Sequence, residues 1–309
     1  MAFLIIAPDI KVTSWVKHLT RLEPGIDIRI WPDTGNAEDI EFALSWHHPP
    51  GEFNKFKNLK CIASLGAGVD HILADPHLPE GVPITRVVEH SMAQSMSEYV
   101  VLAVLNFCRQ FDDYRAEQAQ SQWHPRKPLL AEDLNIGIMG LGQLGEDAAK
   151  KLSYLGFPVT GWSQTPKEIE GIKSLAGKDM LDDFLSQARV LICMLPLTSK
   201  TKGILNHNMF GKLPAGAYLI NVARGEHLVE NDLIAALNSG QLAGACLDVF
   251  EVEPLPQDHP FWRNPKIVVT PHISSITFPR AVTPQIIENY HRVKSGKRPV
   301  NRVDIVRGY

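Results

Sequence analysis

"NIGIMGLGQLGEDAAKKL", residues 135–152, decides the fold. An apolar run at 136–139 precedes three glycines, Gly140, Gly142 and Gly145, and an alanine-rich helical pattern follows them. In such a G-x-G-x-x-G arrangement the first glycine permits a tight turn, the second lets the backbone approach a pyrophosphate, and the third lets helix and strand pack closely. Free N–H groups at the helix N-terminus then attract phosphate. The stretch therefore predicts the first strand, turn and helix of a dinucleotide-binding unit rather than a merely structural turn.

Short apolar runs rich in Val, Ile and Leu recur along the whole chain, with helix-like stretches between them. The ten runs are 3–7, 26–31, 42–46, 61–65, 136–140, 158–162, 189–195, 217–222, 244–249 and 266–270. Strands that are apolar throughout and alternate with helices are typical of parallel sheets covered on both faces. The sequence therefore predicts an α/β fold, and the two sets of runs are compatible with two open sheets.

Two segments favour long helices outside that alternation. From Met92 to Tyr114 apolar residues recur at spacings of three and four, which predicts one long amphipathic helix. It lies between the two sets of runs, so we place a domain boundary near residue 98. The segment 280–296 predicts a last helix that returns to the first domain.

Composition excludes several classes of protein. The chain has 309 residues, 44% hydrophobic and 21% charged, the balance of a globular protein with room for two domains. Its net charge of -3 offers no basic field for nucleic acid, and no apolar run approaches the roughly 18 residues of a membrane span. The four cysteines are far apart and form no C-x-x-C pair, which is typical of a reducing compartment. We expect a cytoplasmic protein with neither nucleic-acid nor membrane partners.

Three polar residues stand at the ends of apolar runs: Arg224 after "LINVA", Glu253 in "DVFEVEPLP" and His272 after "IVVTP". Ligands of open α/β sheets bind beyond the carboxyl ends of the strands. Each residue alone is more often structural, but all three downstream of a dinucleotide turn indicate a catalytic site. The remaining histidines lack metal-ligand spacing, so no metal is predicted.

A second glycine-rich turn, "SLGAGVDHI" at 64–72, follows the run at 61–65. Successive N–H groups of Gly66, Ala67 and Gly68 could form a nest for a small carboxylate. A simple strand-to-helix turn would have the same sequence, and the residues alone leave both interpretations open.

The chain resembles the D-isomer-specific 2-hydroxyacid dehydrogenase family over nearly its whole length. The segments that carry the resemblance are "GIMGLGQLG" (137–145), "MLPLTSKTKGILN" (194–206), "LPAGAYLINVARG" (213–225), "LIAALNSGQLAGACLDVFEVEPLP" (233–256) and "VVTPHISS" (268–275). Within the family, "SLGAGVDHI", "WSQTPK", "FDDYRAEQAQSQW" and the terminal "VRGY" resemble the group of glyoxylate and hydroxypyruvate reductases.

The resemblance implies two doubly wound Rossmann- or flavodoxin-like domains with the cofactor in the cleft between them. Residues 1–98 with 280–309 would form the substrate domain, and 99–279 the NADP-binding domain. It also implies a homodimer, in which the polar arm at 114–128 wraps the partner and Trp123 reaches its active-site rim. A tryptophan packed within its own chain is the alternative.

The resemblance also assigns site residues. Catalysis is implied for Arg224, Glu253 and His272, with Arg224 orienting a 2-keto acid, His272 donating a proton and Glu253 holding the imidazolium. The implied cofactor-binding residues are Gly140, Gly142, Gln143, Leu144, Gly145, Ser163, Gln164, Thr165, Lys167, Leu195, Pro196, Val222, Ala223, Arg224, Asp248, His272 and Ser274, Asp248 being the one that holds the nicotinamide carboxamide. The implied substrate-binding residues are Trp46, Leu65, Gly66, Ala67, Gly68, Arg224 and His272, although Trp46 could equally belong to the core.

The expected reaction is NADPH-dependent hydride transfer to glyoxylate, giving glycolate, and to hydroxypyruvate, giving D-glycerate. NAD-preferring members of the family carry an acid at the position of Ser163 that would repel a 2′-phosphate, whereas "WSQTPK" offers hydroxyls, an amide and Lys167. Because no arginine lies in this turn, we expect a moderate preference for NADP(H), with NAD(H) also accepted. The alternatives are a reductase of a bulkier 2-keto acid and a dinucleotide-sensing module of the corepressor kind.

Overall fold

Each of the ten apolar runs overlaps a strand, as the sequence predicts. The computed structural model describes residues 1–308. The strands are β1 (Ala2–Ile6), β2 (Asp27–Ile30), β3 (Ile40–Ser45), β4 (Cys61–Ser64), β5 (Ile84–Thr85), β6 (Ile136–Met139), β7 (Val159–Ser163), β8 (Lys173–Ala176), β9 (Val190–Cys193), β10 (Ala217–Asn221), β11 (Leu242–Leu247) and β12 (Ile267–Val269). The sequence does not predict β5 and β8, because β5 has only two residues and β8, "KSLA", contains no apolar run.

The single helix predicted from Met92 to Tyr114 is wrong. Gln110 has φ +53 in the left-handed region, which interrupts the helical hydrogen bonds, and two aspartates then favour a new N-terminus. The final helix predicted at 280–296 is confirmed. The α-helices are α1 (Thr13–Leu22), α2 (Asp70–Leu73), α3 (His90–Cys108), α4 (Phe111–Ala119), α5 (Gln143–Tyr154), α6 (Leu181–Gln187), α7 (His207–Phe210), α8 (Glu230–Ser239) and α9 (Pro279–Lys294).

The chain divides into two compact units, residues 1–91 with 277–309 and residues 92–276. The first contains a parallel sheet of five strands in the order β2-β1-β3-β4-β5. The second contains a parallel sheet of seven strands in the order β12-β11-β10-β9-β6-β7-β8. The predicted α/β class with two parallel sheets is confirmed. The assignment of substrate binding to one unit and cofactor binding to the other stays a prediction.

Burial on both faces explains why the strands of the second unit are apolar throughout. Along β9, Leu191 and Cys193 belong to one hydrophobic cluster, and Val190 and Ile192 belong to another. Helix α8 contributes to the first cluster, and helices α3 and α5 contribute to the second. A parallel strand covered by helices on both sides has no solvent-facing position for polar residues.

Strand order reverses at one point in each sheet. In the second unit β6 has β7 on one side and β9 on the other, because the chain returns from the edge strand β8 to place β9 beside β6. The glycine turn at 140–145 follows β6, and residues 194–196 follow β9. Ligands of open α/β sheets bind at the carboxyl ends of strands beside such a reversal, and this geometry positions the candidate site.

Candidate active site

The three glycines of the turn after β6 meet different surroundings. A Cβ atom added to Gly140 (φ +103) would lie 2.6 Å from the Met194 carbonyl oxygen, and one added to Gly145 would lie 1.9 Å from the Gly140 oxygen. Close packing therefore requires glycine at both positions. A Cβ on Gly142 would meet nothing within 4 Å, and Gly142 immediately precedes α5. The open side at Gly142 and the free N-terminus of α5 fit the pyrophosphate of a dinucleotide.

The predicted ribose-binding turn follows β7. Ser163 is the last residue of that strand; its side chain is buried, and its hydroxyl donates to the Thr165 carbonyl oxygen at 2.6 Å. Gln164, Thr165 and Lys167 are exposed. The turn from Trp162 to Lys167 contains no carboxylate. Ser163 therefore shapes this turn, and the exposed residues offer the donors.

The other predicted cofactor residues lie at the carboxyl edge of the same sheet. Leu195 and Pro196 follow β9, and Val222 and Ala223 follow β10, the neighbouring strand. Gln143 and Leu144 open α5, and Ser274 follows β12. Parallel strands end at one edge of the sheet, so the fold of this unit brings these segments to that edge, as the sequence predicts.

His272 and Glu253 form a hydrogen-bonded pair. The His272 Nδ1 atom lies 2.7 Å from Glu253 Oε2, and the Phe250 N–H donates to Glu253 Oε1 at 3.0 Å. Burial raises the pKa of Glu253, but the His272 and Phe250 hydrogen bonds and the positive charges of His272 and Arg224 outweigh it, and the pKa lies below its ordinary value. Glu253 is thus an anionic partner for the imidazole, and Nε2 is the ring nitrogen left for a substrate.

Arg224 lies three residues after the end of β10. The next residue, Gly225, brings it to the segment that carries Glu253. A Cβ atom on Gly225 would lie 1.8 Å from the Phe250 carbonyl carbon and 2.2 Å from the Glu251 nitrogen. Only glycine permits this contact between the two backbones. The Arg224 charge acts on Glu253 as a result, and the three predicted catalytic residues belong to one neighbourhood of this unit.

Two residues that the sequence analysis missed hold the backbone of Arg224. The buried Asn221 donates from Nδ2 to the Arg224 carbonyl oxygen at 3.0 Å. The Arg224 N–H donates to Nδ1 of the buried His227 at 3.2 Å, while His227 Nε2 lies 3.3 Å from the Pro196 carbonyl oxygen. His227 therefore joins the Arg224 turn to the predicted cofactor segment after β9. A polar residue ending an apolar strand was the only signal for Asn221, and His227 had none.

Asp248 organises the segment that carries His272. It is fully buried and accepts from the Thr270 hydroxyl at 2.6 Å, the Ile273 N–H at 2.9 Å and the Ser274 N–H at 2.7 Å. The resemblance implies only a contact between Asp248 and the nicotinamide. The geometry adds a second role, because two of these hydrogen bonds hold the backbone after His272 and the third holds the Thr270 side chain before it.

In the first unit, the turn after β4 uses one of its N–H groups internally. Gly66 donates to the Ser64 hydroxyl oxygen at 3.1 Å, and that hydroxyl donates to the Gly68 carbonyl oxygen at 2.8 Å. The predicted nest of three N–H groups is therefore reduced to those of Ala67 and Gly68. A Cβ on Gly66 would lie 3.0 Å from Cζ3 of Trp46, so the half-buried Trp46 packs on this turn rather than in the core. Leu65 is buried beneath.

A buried chain of polar groups fixes the loop that carries Trp46. The Ser45 hydroxyl lies 3.2 Å from His48 Nδ1, and His48 Nε2 lies 3.1 Å from Asp75 Oδ2. Asp75 also accepts from the Gly51 N–H at 2.8 Å. Burial lowers the pKa of His48, which outweighs the opposing effect of Asp75, so a neutral imidazole can donate to Asp75 and accept from Ser45.

Residues 1–308 contain no group of three His, Cys, Asp or Glu side chains placed to hold a metal ion. No helix within those residues is long and apolar enough to cross a membrane. All four cysteines are buried and free. The cytoplasmic location stays a prediction.

The fold and site together define a nucleotide-dependent oxidoreductase of the doubly wound α/β class, and comparison with known proteins gives the family. The model of the D-isomer specific 2-hydroxyacid dehydrogenase NAD binding domain matches residues 101–274. A glyoxylate/hydroxypyruvate reductase A from Yersinia enterocolitica is 42% identical, with both chains covered completely.

Solved structures agree over the whole chain. A D-isomer specific 2-hydroxyacid dehydrogenase from Xanthobacter autotrophicus Py2, in complex with NADPH and MES, has a TM-score of 0.95 and 42% identity, covering 100% of this chain and 99% of that one. An NADPH-dependent glyoxylate/hydroxypyruvate reductase from Sinorhizobium meliloti, in complex with NADP and sulfate, has a TM-score of 0.92 and 36% identity, with 100% of both chains covered. The chain belongs to the D-isomer specific 2-hydroxyacid dehydrogenase family, and the resemblance found in the sequence is confirmed.

Proposed function

We propose that this enzyme reduces glyoxylate to glycolate and hydroxypyruvate to D-glycerate, with NADPH as the preferred reductant. The observation that carries the proposal is the 2.7 Å contact between His272 and Glu253, beside Arg224, at the carboxyl edge of the seven-stranded sheet. This arrangement provides a proton donor, its anionic partner and a cation for a carboxylate. The names of the relatives at 42% and 36% identity support the choice of substrates.

The glycine turn and α5 would hold the pyrophosphate of the dinucleotide through backbone N–H groups, and Gly142 leaves the room for it. When bound, the reduced nicotinamide supplies the hydride that reduces the keto carbon. The chain's own residues then have two tasks, which are to orient the keto acid and to supply a proton.

His272 supplies the proton. As the keto carbon accepts the hydride, negative charge develops on its oxygen, and the protonated imidazole donates from Nε2 to that oxygen. The C–H and O–H bonds formed complete the hydroxy acid, and the imidazole is left neutral. Glu253 holds the ring through Nδ1 and stabilises its protonated form before the transfer.

Arg224 orients the substrate. A planar guanidinium can donate to the substrate carboxylate and to the keto oxygen at once, which fixes the carbonyl for attack on one face. In the first unit, Ala67 and Gly68 are the proposed N–H donors to a substrate carboxylate, and Trp46 is proposed to limit the size of the group beyond the keto carbon.

The preference for NADPH follows from the turn at 162–167. With no carboxylate there, nothing in the turn repels a 2′-phosphate, and Gln164, Thr165 and Lys167 are exposed and able to donate to it. Relatives crystallised with NADPH or NADP support this preference. NADH remains a second cofactor, because no arginine in the turn commits it to the phosphate.

The proposal includes a homodimer. Trp123 is 92% exposed, so it is not packed in its own chain, and it lies in the polar arm that begins at Tyr114. Leu102 of α3, Phe111 of α4 and Leu130 are also more than half exposed. Large apolar side chains exposed along one continuous segment are typical of an interface.

A substrate panel tests the proposed function. Glyoxylate, hydroxypyruvate, pyruvate and a branched 2-keto acid are each assayed with NADPH and with NADH. We expect the highest kcat/KM with glyoxylate and hydroxypyruvate, and higher values with NADPH than with NADH. A clear preference for the branched acid would replace the substrate assignment, and NADPH binding without turnover of any acid would favour a sensing role.

A further inference from the structure

The predicted ribose-binding turn carries less positive charge than a 2′-phosphate carries negative charge. A 2′-phosphate carries close to two negative charges, yet Lys167 is the one full positive charge between Trp162 and Lys167. The Ser163 hydroxyl cannot add much, because its proton is already donated to the Thr165 carbonyl oxygen. A second cation near this turn would complete a phosphate site.

The neighbouring edge strand β8 places a lysine beside the turn. The register of β7 and β8 pairs Ser163 with Ala176. Gly177 follows, and both halves of its backbone are bound to β7: its N–H donates to the Ser163 carbonyl oxygen at 3.1 Å, and its carbonyl oxygen accepts from the Trp162 indole at 2.9 Å. Lys178 is the next residue, so its backbone is fixed one peptide away from a direct contact with Ser163.

Gly177 also sets the path of the chain at this point. Its φ of +79 lies in the region that favours glycine, and the chain turns there from β8 into the short helical segment that begins at Lys178. The turn keeps Lys178 at the carboxyl edge of the sheet, beyond the end of β7. The position of this lysine is therefore a product of the fold rather than of a free loop.

The Lys178 ammonium is available to bind an anion. Lys150, Lys151 and Lys212 of the same unit each pair with a carboxylate. Within residues 1–308, Lys178 and Lys167 have no such partner, and both are exposed. An ammonium on a flexible stem binds phosphate as a point charge and does not need a preset geometry.

We propose that Lys178 is a cofactor-specificity residue: together with Lys167 it binds the 2′-phosphate of NADPH, and it takes the place of an arginine in the turn. The inference rests on the proposed NADPH preference. Asp179 adjoins Lys178, so the lysine also offsets a charge that would otherwise repel the phosphate.

Binding of nucleotide fragments tests the inference without turnover. Dissociation constants for adenosine 2′,5′-bisphosphate and for 5′-AMP are measured by calorimetry in the parent and in Lys178→Met, followed by kcat/KM for NADPH and NADH. We expect Lys178→Met to weaken the bisphosphate and NADPH about three- to tenfold, as for a partly solvated ion pair, and to change 5′-AMP and NADH less than twofold. Raising the salt concentration should shrink the loss.

Two further variants serve as controls. Lys173→Met removes the same charge from the other end of β8, where the lysine donates to Gln187. It should leave the values for the bisphosphate, 5′-AMP, NADPH and NADH unchanged. Lys178→Arg should retain the preference. If Lys178→Met weakens the binding of 5′-AMP and of the bisphosphate equally, or weakens neither, the inference is overturned while the proposed function stands. A parent that binds the bisphosphate no better than 5′-AMP would overturn the NADPH preference and this inference together.

Discussion

His272 adopts a backbone conformation that restricts what can replace it. Its φ is +54, in the left-handed region, where asparagine is tolerated far better than branched residues. His272→Asn therefore keeps the turn and removes only the proton donor. We expect kcat to fall roughly 10²–10⁴-fold, the usual contribution of a general acid, while the dissociation constant for NADPH, measured by fluorescence titration, changes little. Parallel losses of kcat and NADPH affinity would show that the substitution damages the site itself.

The residue at position 163 is expected to influence the choice between NADPH and NADH. Ser163→Asp introduces a carboxylate that repels a 2′-phosphate and can accept from the ribose hydroxyls of NADH. Because the new carboxylate would lie against the phosphate dianion, we expect kcat/KM for NADPH to fall at least tenfold. A hydrogen bond to a charged group is worth about 1.5–3 kcal/mol, so kcat/KM for NADH should hold or rise. Ser163→Ala is the matched control, because it loses the bond to Thr165 without adding charge. If Ser163→Asp leaves the ratio of the two values unchanged, the turn does not select the cofactor.

Among the elements, the loop after β3 depends on protonation. Burial lowers the pKa of His48, so the folded state favours its neutral form, and the resulting stability is complete above the unfolded value of about 6.5 and lost as pH falls below it. Burial raises the pKa of Asp75, but hydrogen bonds from Gly51, His77 and His48 lower it overall, so its contribution is lost at still lower pH. Both effects lower the free energy of unfolding as pH falls.

His48→Gln isolates the histidine, because an amide can still donate to Asp75 and accept from Ser45 but does not titrate. We expect the urea midpoint of the parent to fall between pH 7.5 and 5.5 by more than that of the variant. Equal falls would mean that the pH dependence arises from other groups.

The elements also show what a sequence can reveal. All ten strands with apolar runs were predictable, since burial on both faces leaves no polar position in them. Strand β8 was not, because an edge strand with partly exposed positions carries no apolar run. The break of the helix at Gln110 was also not predictable. The apolar spacing continues across it, and no sequence pattern indicates that the backbone of a glutamine adopts the left-handed conformation.

The same limit applies to the site. The sequence reveals Arg224, Glu253 and His272 because they stand near the ends of apolar runs and match the family's motifs. The structure places all three in the second unit. Asn221 and His227 were missed because they act by hydrogen bonding to backbone atoms of Arg224, and such contacts leave no pattern in the sequence.

For the whole molecule, the exposed apolar residues of the segment from α3 to Leu130 predict assembly. Multi-angle light scattering at micromolar concentration should give about twice the chain mass of 34.4 kDa. Trp123→Ser should leave that mass unchanged if Trp123 serves the partner's active site, but raise KM for the keto acid. A monomeric parent would remove the dimer from the proposal.

The central claim is that the Glu253–His272 pair delivers the proton, and the pH profile of reduction tests it most directly. kcat/KM for glyoxylate, at saturating NADPH, is measured from pH 5 to 10 in the parent and in Glu253→Gln. Because the imidazolium loses its anionic partner, the alkaline fall of the variant should lie at lower pH than that of the parent. A variant whose profile coincides with that of the parent would contradict the account.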